Sequence, residues 1–166
     1  MRVLFVCEGN VCRSPAAELL LARALPASVV QPVSAGLSAR VGDPVAEETA
    51  RLLRATDVDP TGFRARELED RMLREADLVV VMATVQRAAV VKRVPAVLRR
   101  TWTLLDLAGT LQASGLTFAA GPDALLAART GALGDVPDPW GRGATAHRRT
   151  FALVHDSVER LASAIR

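Results

Sequence analysis

The 166-residue chain contains no tyrosine, a single lysine and only two cysteines. Aromatic residues make up 4% of the composition and the arginines are scattered, so no stacking platform for nucleic-acid bases is expected. A formal net charge of +3 then favours a site for a small anionic group over a nucleic-acid partner. We therefore expect no nucleic acid among its ligands.

Long hydrophobic runs and secretory features are also missing. No apolar stretch approaches the roughly 20 residues that a bilayer span requires. Arg2 is followed by only five residues before Glu8, too few for the apolar core of a signal peptide. Cys7 and Cys12 lie too close together to staple a secreted scaffold. We predict a cytoplasmic protein without membrane insertion and a single domain over residues 1–166; the oligomeric state is unknown from the sequence.

Apolar runs alternate with segments of helical character along the chain. Strands are predicted at residues 2–6, 28–36, 76–82 and 100–104, and helices at 14–25, from 43 onward, at 67–75, at 84–92 and around 151–165. Ser14 and Asp43, each followed by a proline, are predicted helix N-caps. This alternation predicts an α/β fold, a three-layer sandwich in which a four-stranded parallel sheet carries helices on both faces.

Residues 106–134 do not fit this alternation. The stretch is rich in alanine, glycine and leucine, and it is too long for an ordinary connection between elements. Within it, residues 123–129 (DALLAAR) are compatible with a short helix.

The first loop combines the features of an oxyanion site. Cys7 to Arg13 follow the first predicted strand, and ligands of α/β sheets bind beyond the carboxyl ends of strands. Because a helix begins directly afterwards, the backbone N–H groups and the positive end of the helix dipole converge on one small volume. Gly9 permits a close approach or a positive φ, and Asn10 tolerates left-handed geometry. The loop is predicted to hold a tetrahedral oxyanion.

Two side chains give this loop its chemistry. Arg13 can donate bidentate hydrogen bonds to two oxygens of the anion. Cys7 lies where the same positive field stabilises a thiolate, and helix N-termini commonly lower the pKa of cysteine from about 8.5. In-line attack of this thiolate on phosphorus would form a phosphocysteine, and the Ser14 hydroxyl can donate to the sulfur when it leaves. A lone cysteine at a strand end is usually a small core residue, so the prediction depends on the whole pattern.

The segment VLFVCEGNVCRSPAAE resembles the active-site segment of the low-molecular-weight protein tyrosine phosphatases, whose loop reads Cys-x-Gly-Asn-x-Cys-Arg-Ser-Pro. The resemblance continues through Ser-Ala-Gly at Ser34, Ala-Arg at 65–66, the strand at 76–82 and Asp-Pro at 138–139. It implies an enzyme without metal or cofactor that hydrolyses phosphotyrosine in protein substrates, or other aryl phosphates, through a phosphocysteine. The positions implied to bind phosphate or support the loop are Glu8, Gly9, Asn10, Val11, Cys12, Ser14 and Ser34.

The proton donor is predicted from a second motif. Prolines stiffen the backbone on both sides of Asp138, which fixes where its carboxylate points. Taken alone, Asp-Pro is an ordinary turn signal, and Asp135 is a competing carboxylate. By resemblance, Asp138 protonates the leaving group and then activates water, and Trp140 forms a wall against an aromatic substrate ring. Arg40 aligns with an aromatic residue that often gates the family's cleft, and this exchange favours acidic residues beside the phosphotyrosine.

Other positions depart from the family pattern. Phe63 stands where the family often has a histidine beneath the loop, so Asn10, Ser14 and Ser34 must hold the loop without it.

An insertion at about 108–130, longer than the family usually carries, is either a lid, a partner surface or an excursion without a role. His147 and His155 fall two turns apart on the last helix, too far to share a metal, and are expected to be structural or solvated.

Three alternative functions remain open. A phosphoarginine phosphatase resembles this chain closely, but Val11 lacks the hydroxyl of the threonine associated with that branch. An arsenate reductase of the thiol-relay type needs cysteines outside the loop, and there are none. A non-catalytic anion-binding module is disfavoured because Cys7, Arg13 and Asp138 are all present.

The second loop cysteine has a separate implied role. In the family, the counterpart of Cys12 can trap the nucleophile as a reversible disulfide under oxidation. A loop that curls around phosphate can bring Cys7 and Cys12 within the Cα separation that a disulfide requires. We therefore expect a Cys7–Cys12 bond to form with peroxide; the alternative is a small buried side chain that lines the loop.

Overall fold

The computed structural model describes residues 1–131 and 134–166. One parallel sheet has the strand order β2-β1-β3-β4, with β1 at Arg2–Cys7, β2 at Gln31–Gly36, β3 at Leu78–Val81 and β4 at Thr101–Thr103. The α-helices are α1 Arg13–Ala24, α2 Glu47–Arg54, α3 Asp70–Glu75, α4 Thr84–Arg93, α5 Leu104–Ser114, α6 Pro122–Ala127 and α7 Gly143–Ile165. Short 3₁₀ segments cover Pro95–Arg100 and Phe118–Ala120.

Alternate residues of the central strand β1 belong to two separate hydrophobic cores. Val3 and Phe5 pack with apolar residues of α1, α2, α5 and α7. Leu4 and Val6 pack with residues of α3, α4 and the 3₁₀ segment after α4. All four of these side chains are 0% exposed, as expected for a strand covered on both faces. The predicted three-layer α/β sandwich with a four-stranded parallel sheet is therefore confirmed.

The strand order places the first loop at a topological switch point. β1 pairs with β2 on one side and with β3 on the other, so the two crossovers leave the sheet in opposite directions. A crevice forms at such a point beyond the carboxyl ends of the strands. Residues 7–13 connect β1 to α1 at this crevice.

Both predicted N-caps are wrong. Ser14 is already inside α1, whose N-cap is Cys12, and its hydroxyl contacts the Cys7 sulfur instead of capping the helix. The next helix, α2, begins only at Glu47, because the backbone at Asp43 is held elsewhere. The Asp43 carbonyl accepts from the Ala65 N–H at 2.9 Å, and its carboxylate accepts from Arg40 at 2.7 Å.

Most of the unassigned stretch 106–134 is helical, and residues 132 and 133 lie outside the described residues. α5 starts directly after β4, where Thr103 Oγ1 accepts from the Asp106 N–H at 3.4 Å. It ends at Gly115, whose φ is +67°. The Thr103-x-x-Asp106 spacing is the capping pattern that could have predicted this helix.

The insertion at about 108–130 is not a lid over the first loop in its helical part. Phe118, Pro122 and Leu125 line a cavity together with Met1 and Asp77. Met1 precedes β1 and Asp77 precedes β3, so this cavity lies at the amino ends of the strands, opposite Cys7. Two interpretations of the helical part of the insertion remain: a surface that binds a partner, or a surface excursion without a role.

Candidate active site

A cavity of about 190 Å³ opens at the carboxyl end of β1. All of its lining residues are among those that the sequence singled out: Cys7, Glu8, Gly9, Val11, Cys12, Arg13, Arg40, Asp138 and Trp140. The remaining predicted residues, Asn10, Ser14 and Ser34, are 0% exposed. The first turn of α1 contributes N–H groups that have no partner within the helix, so donors are available at this end of the cavity.

Asn10 is the centre of the hydrogen-bond network that supports the loop. Its Nδ2 donates to Ser14 Oγ at 2.9 Å and to Ser34 Oγ at 2.8 Å. Its Oδ1 accepts from the backbone N–H of Arg66 at 2.9 Å. The side chain therefore ties the loop to α1, to β2 and to the segment before α3 at once.

Donor counting shows which hydrogens Asn10 uses in this network and which it leaves to the serines. An amide nitrogen carries two hydrogens, and Asn10 spends both on the serine oxygens. Ser14 is then free to direct its own hydrogen to Cys7 Sγ, which lies 2.9 Å away. The sulfur can therefore accept a hydrogen bond from Ser14.

Ser34 directs its hydrogen in the opposite direction, to Glu18 Oε2 at 2.5 Å. Arg66 donates to Glu18 Oε1 at 3.2 Å. Burial raises the pKa of Glu18, whereas the Ser34 hydroxyl and the Arg66 guanidinium oppose this shift. Phe63, at the position of the family's histidine, is a buried core residue, and Glu18 and Arg66 complete the network in its absence.

Glu18 and Arg66 were missed as site residues by the sequence reasoning. Glu18 lies four positions after Ser14 on α1 and therefore one turn further along the same face, a spacing that could have drawn attention to it. No sequence pattern links Arg66 to the loop, because their contact arises only from the fold.

Two backbone positions let the loop take its shape. Asn10 has φ of +53°, in the left-handed region that asparagine tolerates. Gly9 is not among the described residues with positive φ. A positive φ, suggested by the sequence, is therefore not the reason for a glycine at this position. Gly36 is the more constrained glycine: a Cβ at this position would lie 2.5 Å from the Glu8 carbonyl oxygen and 2.9 Å from Ala39 Cβ.

Arg13 joins the loop to the segment that carries Asp138. Its guanidinium is 6% exposed and donates to Asp138 Oδ2 at 2.5 Å and to the Val136 carbonyl at 3.2 Å. Val136 in turn donates its N–H to the Met82 carbonyl at 2.8 Å, which fixes the segment at the end of β3. Asp135 instead accepts from the Thr84 N–H at 2.8 Å at the start of α4, so it does not line the cavity.

The second cysteine lies in a different environment from the first. Burial, together with the nearby charges of Cys7 and Asp138, raises the pKa of Cys12 to about 12, against the opposing effects of Thr49 and Arg13. Cys12 is therefore a neutral thiol near pH 7 and does not compete as the nucleophile. Both cysteines are free in this structure.

The mouth of the cavity is spanned by Arg40 and Trp140. The Arg40 Cζ lies 4.8 Å from the centroid of the Trp140 ring, and Trp140 is 50% exposed. The backbone N–H of Trp140 donates to Asp138 Oδ1 at 3.2 Å, which holds the backbone that carries the ring next to the candidate acid.

The histidines lie away from this cavity. His147 is buried on α7 with its Nδ1 2.9 Å from Thr49 Oγ1, and His155 lies 3.5 Å from Asp156. Among residues 1–131 and 134–166, no three His, Cys, Asp or Glu side chains are grouped as metal ligands would be. The helices in these same ranges include none with the length and apolarity of a membrane span.

Comparison with known proteins identifies the family. The model of the low molecular weight phosphotyrosine protein phosphatases matches residues 2–111, which include β1, the loop and the first four helices. The chain belongs to this family, whose members are cysteine-dependent phosphatases.

Individual relatives show how far the similarity extends. The chain is 37% identical over 93 residues to the probable low molecular weight protein-tyrosine-phosphatase EpsP of Ralstonia solanacearum, and the match spans 56% of this chain and 63% of that relative. It is 30% identical over 164 residues to Wzb of Salmonella typhi, covering 99% of this chain and 93% of the relative.

Solved structures extend the likeness to the whole fold. The YwlE arginine phosphatase from Geobacillus stearothermophilus superimposes with a TM-score of 0.79 at 27% identity, covering 98% of this chain and 90% of the other. A low molecular weight protein tyrosine phosphatase from T. tengcongensis gives a TM-score of 0.79 at 28% identity, covering 98% of both chains. The fold is thus common to proteins named for two different phosphorylated amino acids.

Proposed function

We propose that this protein hydrolyses phosphotyrosine in protein substrates, with Cys7 as nucleophile, Arg13 as phosphate clamp and Asp138 as acid and base. The observation that carries the proposal is Cys7 Sγ at 2.9 Å from the Ser14 hydroxyl, with Cys7, Arg13 and Asp138 lining one cavity. A sulfur that accepts a hydrogen bond beside a guanidinium is suited to react as a thiolate.

The first step of the proposed mechanism forms the Cys7 S–P bond and breaks the P–O bond to the leaving group. The equatorial oxygens receive hydrogen bonds from the loop N–H groups and from Arg13, which stabilise the charge of the transition state. Asp138, protonated, gives its proton to the departing phenolate.

In the second step water attacks the phosphocysteine, Asp138 takes its proton, and the S–P bond breaks. The Ser14 hydroxyl stabilises the thiolate that leaves, because Asn10 holds its oxygen and directs its hydrogen to the sulfur. Phosphate is released and Cys7 is restored.

The second candidate is protein phosphoarginine, favoured by the likeness to the YwlE arginine phosphatase. Val11 lines the cavity and offers a methyl group where a threonine would offer a hydroxyl. A buried site without that hydroxyl has one group fewer to orient a guanidino substrate or its attacking water. We therefore rank phosphotyrosine first.

The test is a side-by-side assay of peptides that carry phosphotyrosine, phosphoarginine or phosphoserine in one sequence context. We expect the highest kcat/KM for phosphotyrosine and no turnover in Cys7→Ser. Equal rates on phosphoserine would refute the aryl specificity, and turnover that survives in Cys7→Ser would refute the phosphocysteine. No turnover of any of the three would leave the anion-binding module as the better reading.

We further propose that Cys12 protects Cys7 under oxidation. Peroxide oxidises the Cys7 thiolate to a sulfenic acid, and the Cys12 thiol then displaces water to give the Cys7–Cys12 disulfide. Activity lost to peroxide should return with dithiothreitol in the native protein and should not return in Cys12→Ser. Irreversible inactivation of both proteins alike would rule this out.

A further inference from the structure

Arg40 and Trp140, the two residues at the mouth of the cavity, are held by different parts of the proposed active site. Arg40 is attached to the phosphate loop, because its backbone N–H donates to the Gly9 carbonyl at 3.0 Å. Trp140 is attached to the candidate acid, because its backbone N–H donates to Asp138 Oδ1. The contact between the Arg40 guanidinium and the Trp140 ring therefore bridges the loop and the acid segment across the entrance.

The guanidinium of Arg40 is held in an orientation that leaves a face available. Its Nε donates to Asp43 Oδ2 at 2.7 Å, a bond made in the plane of the group. The Cζ of the group lies over the Trp140 ring, 4.8 Å from its centroid. In-plane hydrogen bonding and stacking are compatible in arginine, so Asp43 orients Arg40 without occupying the face that meets a ligand.

We propose that Arg40 is a specificity-determining residue that selects an aryl phosphate over a phosphoguanidine. This inference rests on the proposed function. The phosphoryl group is common to both substrates, so Arg13 and the loop N–H groups that bind it cannot distinguish them. The group next to the phosphorus does differ, and in a substrate bound to Cys7 it lies at the mouth that Arg40 and Trp140 line.

The two substrates meet Arg40 with opposite electrostatics. A phenyl ring presents a negative face, so it attracts the guanidinium of Arg40 while it stacks against Trp140. The phosphorylated guanidino group of arginine keeps a delocalised positive charge at neutral pH, and two like charges at stacking distance repel. Trp140 can stack on either group, so of the two residues at the mouth it is Arg40 that discriminates, in addition to Val11 in the loop.

The test measures the ratio of kcat/KM for matched phosphotyrosine and phosphoarginine peptides. Arg40→Met keeps an apolar stem of similar length and removes the charge. We expect the ratio to fall by roughly 3- to 30-fold, the range that a cation–π contact supplies. Arg40→Lys keeps a cation and should retain most of the preference, whereas Arg40→Glu should lower the ratio further than Arg40→Met.

Arg23→Met is the matched control. Arg23 is exposed in the last turn of α1, about 15 Å along the helix from Arg13, and its loss changes the net charge equally. The proposal is overturned if the ratio changes less than about twofold in Arg40→Met. It is also overturned if the ratio changes as much in Arg23→Met as in Arg40→Met. Failure of the proposed function is distinguishable, because p-nitrophenyl phosphate and both peptides would then go unhydrolysed by the native protein itself.

Discussion

The phosphate loop and the acid segment meet in one cavity, yet they are held in different ways. Beneath the loop, Asn10, Ser14 and Ser34 are 0% exposed and bond to one another. In the acid segment, the Asp138 side chain is 43% exposed, and the segment is attached through Val136 to the end of β3. The loop is fixed from below, whereas the acid is placed at the rim.

This difference follows from what each part has to do in the proposed reaction. The loop must present the same donors in both chemical steps, and buried hydrogen bonds provide that rigidity at low reorganisation cost. The acid has to give its proton to the leaving group and then take one from the attacking water, so a carboxylate at the rim, within reach of both, is appropriate. Arg13 belongs to the loop and also bonds to the acid segment, at Val136 and Asp138. Perturbing each part in turn should therefore have different consequences.

Arg13→Lys should have the largest effect, because it affects both parts at once. A lysine cannot give bidentate hydrogen bonds to two phosphoryl oxygens and cannot also reach Val136 and Asp138 as the guanidinium does. We expect kcat/KM for p-nitrophenyl phosphate to fall on the order of 10²- to 10³-fold. Steady-state kinetics check this, with Arg23→Lys as the matched substitution at an exposed site, and a loss below about tenfold would contradict the proposed clamp.

Asp138→Asn should affect the acid segment alone. An amide cannot give up a proton to the leaving group, so the loss should grow as the leaving group becomes more basic. For phenyl phosphate we expect kcat to fall on the order of 10²-fold, and for p-nitrophenyl phosphate clearly less.

The leaving-group comparison is its own control, because both assays use the same protein preparation. If the loss is equal for the two phenols, Asp138 does not act as the acid. Asp135→Asn offers a second check: it removes a carboxylate of the same segment that bonds to Thr84, and it should not reproduce the dependence on the leaving group.

Asn10→Ala should affect the loop alone, and through stability as well as rate. The change leaves Ser14, Ser34 and the Arg66 N–H without their partner and places alanine at a φ of +53°. The two buried hydrogen bonds to the serines and the part-buried one from the Arg66 N–H, at about 1 kcal/mol each, predict a loss of about 3 kcal/mol in the free energy of unfolding, to which alanine at positive φ adds on the order of 1 kcal/mol. Urea denaturation measures it.

Asn10→Gly separates the two contributions, because glycine accepts the positive φ and still lacks the amide. We expect Asn10→Gly to recover only the backbone part, on the order of 1 kcal/mol. Complete recovery of stability by glycine would show that the network under the loop contributes little.

The same contrast explains what could be predicted from the sequence. The loop is encoded by adjacent residues, Cys7 to Ser14, and its strand and helix are adjacent too, so its position at the carboxyl end of β1 followed directly. The acid depends on Asp138, more than 120 positions away, where a bare Asp-Pro predicts only a turn. Its assignment needed the resemblance to a family.

The unpredicted features are those that only tertiary contacts create. Ser14 was interpreted as an N-cap because the local pattern favours one, but a buried sulfur next to it takes its hydroxyl instead. Asp43 failed as a cap because residue 65 holds its backbone. The Glu18–Arg66 pair joins positions 48 residues apart, and no local pattern encodes it.

Glu18→Gln should give the smallest effect, and it tests whether the network tolerates a charge at its far end. Burial raises the pKa of Glu18, so the folded protein holds this proton more tightly than the unfolded chain. Its contribution to stability is then largest at low pH and declines as pH rises from about 4.5 through the folded pKa.

The glutamine of Glu18→Gln cannot ionise and shows no such decline. Between pH 4.5 and 7.5 we expect the free energy of unfolding of the variant to rise relative to that of the native protein, which urea denaturation at several pH values measures. Glu159→Gln, at an exposed position of α7, should not reproduce this trend. A change of opposite sign would mean that Ser34 and Arg66 outweigh burial, and that the network under the loop is anchored by a carboxylate.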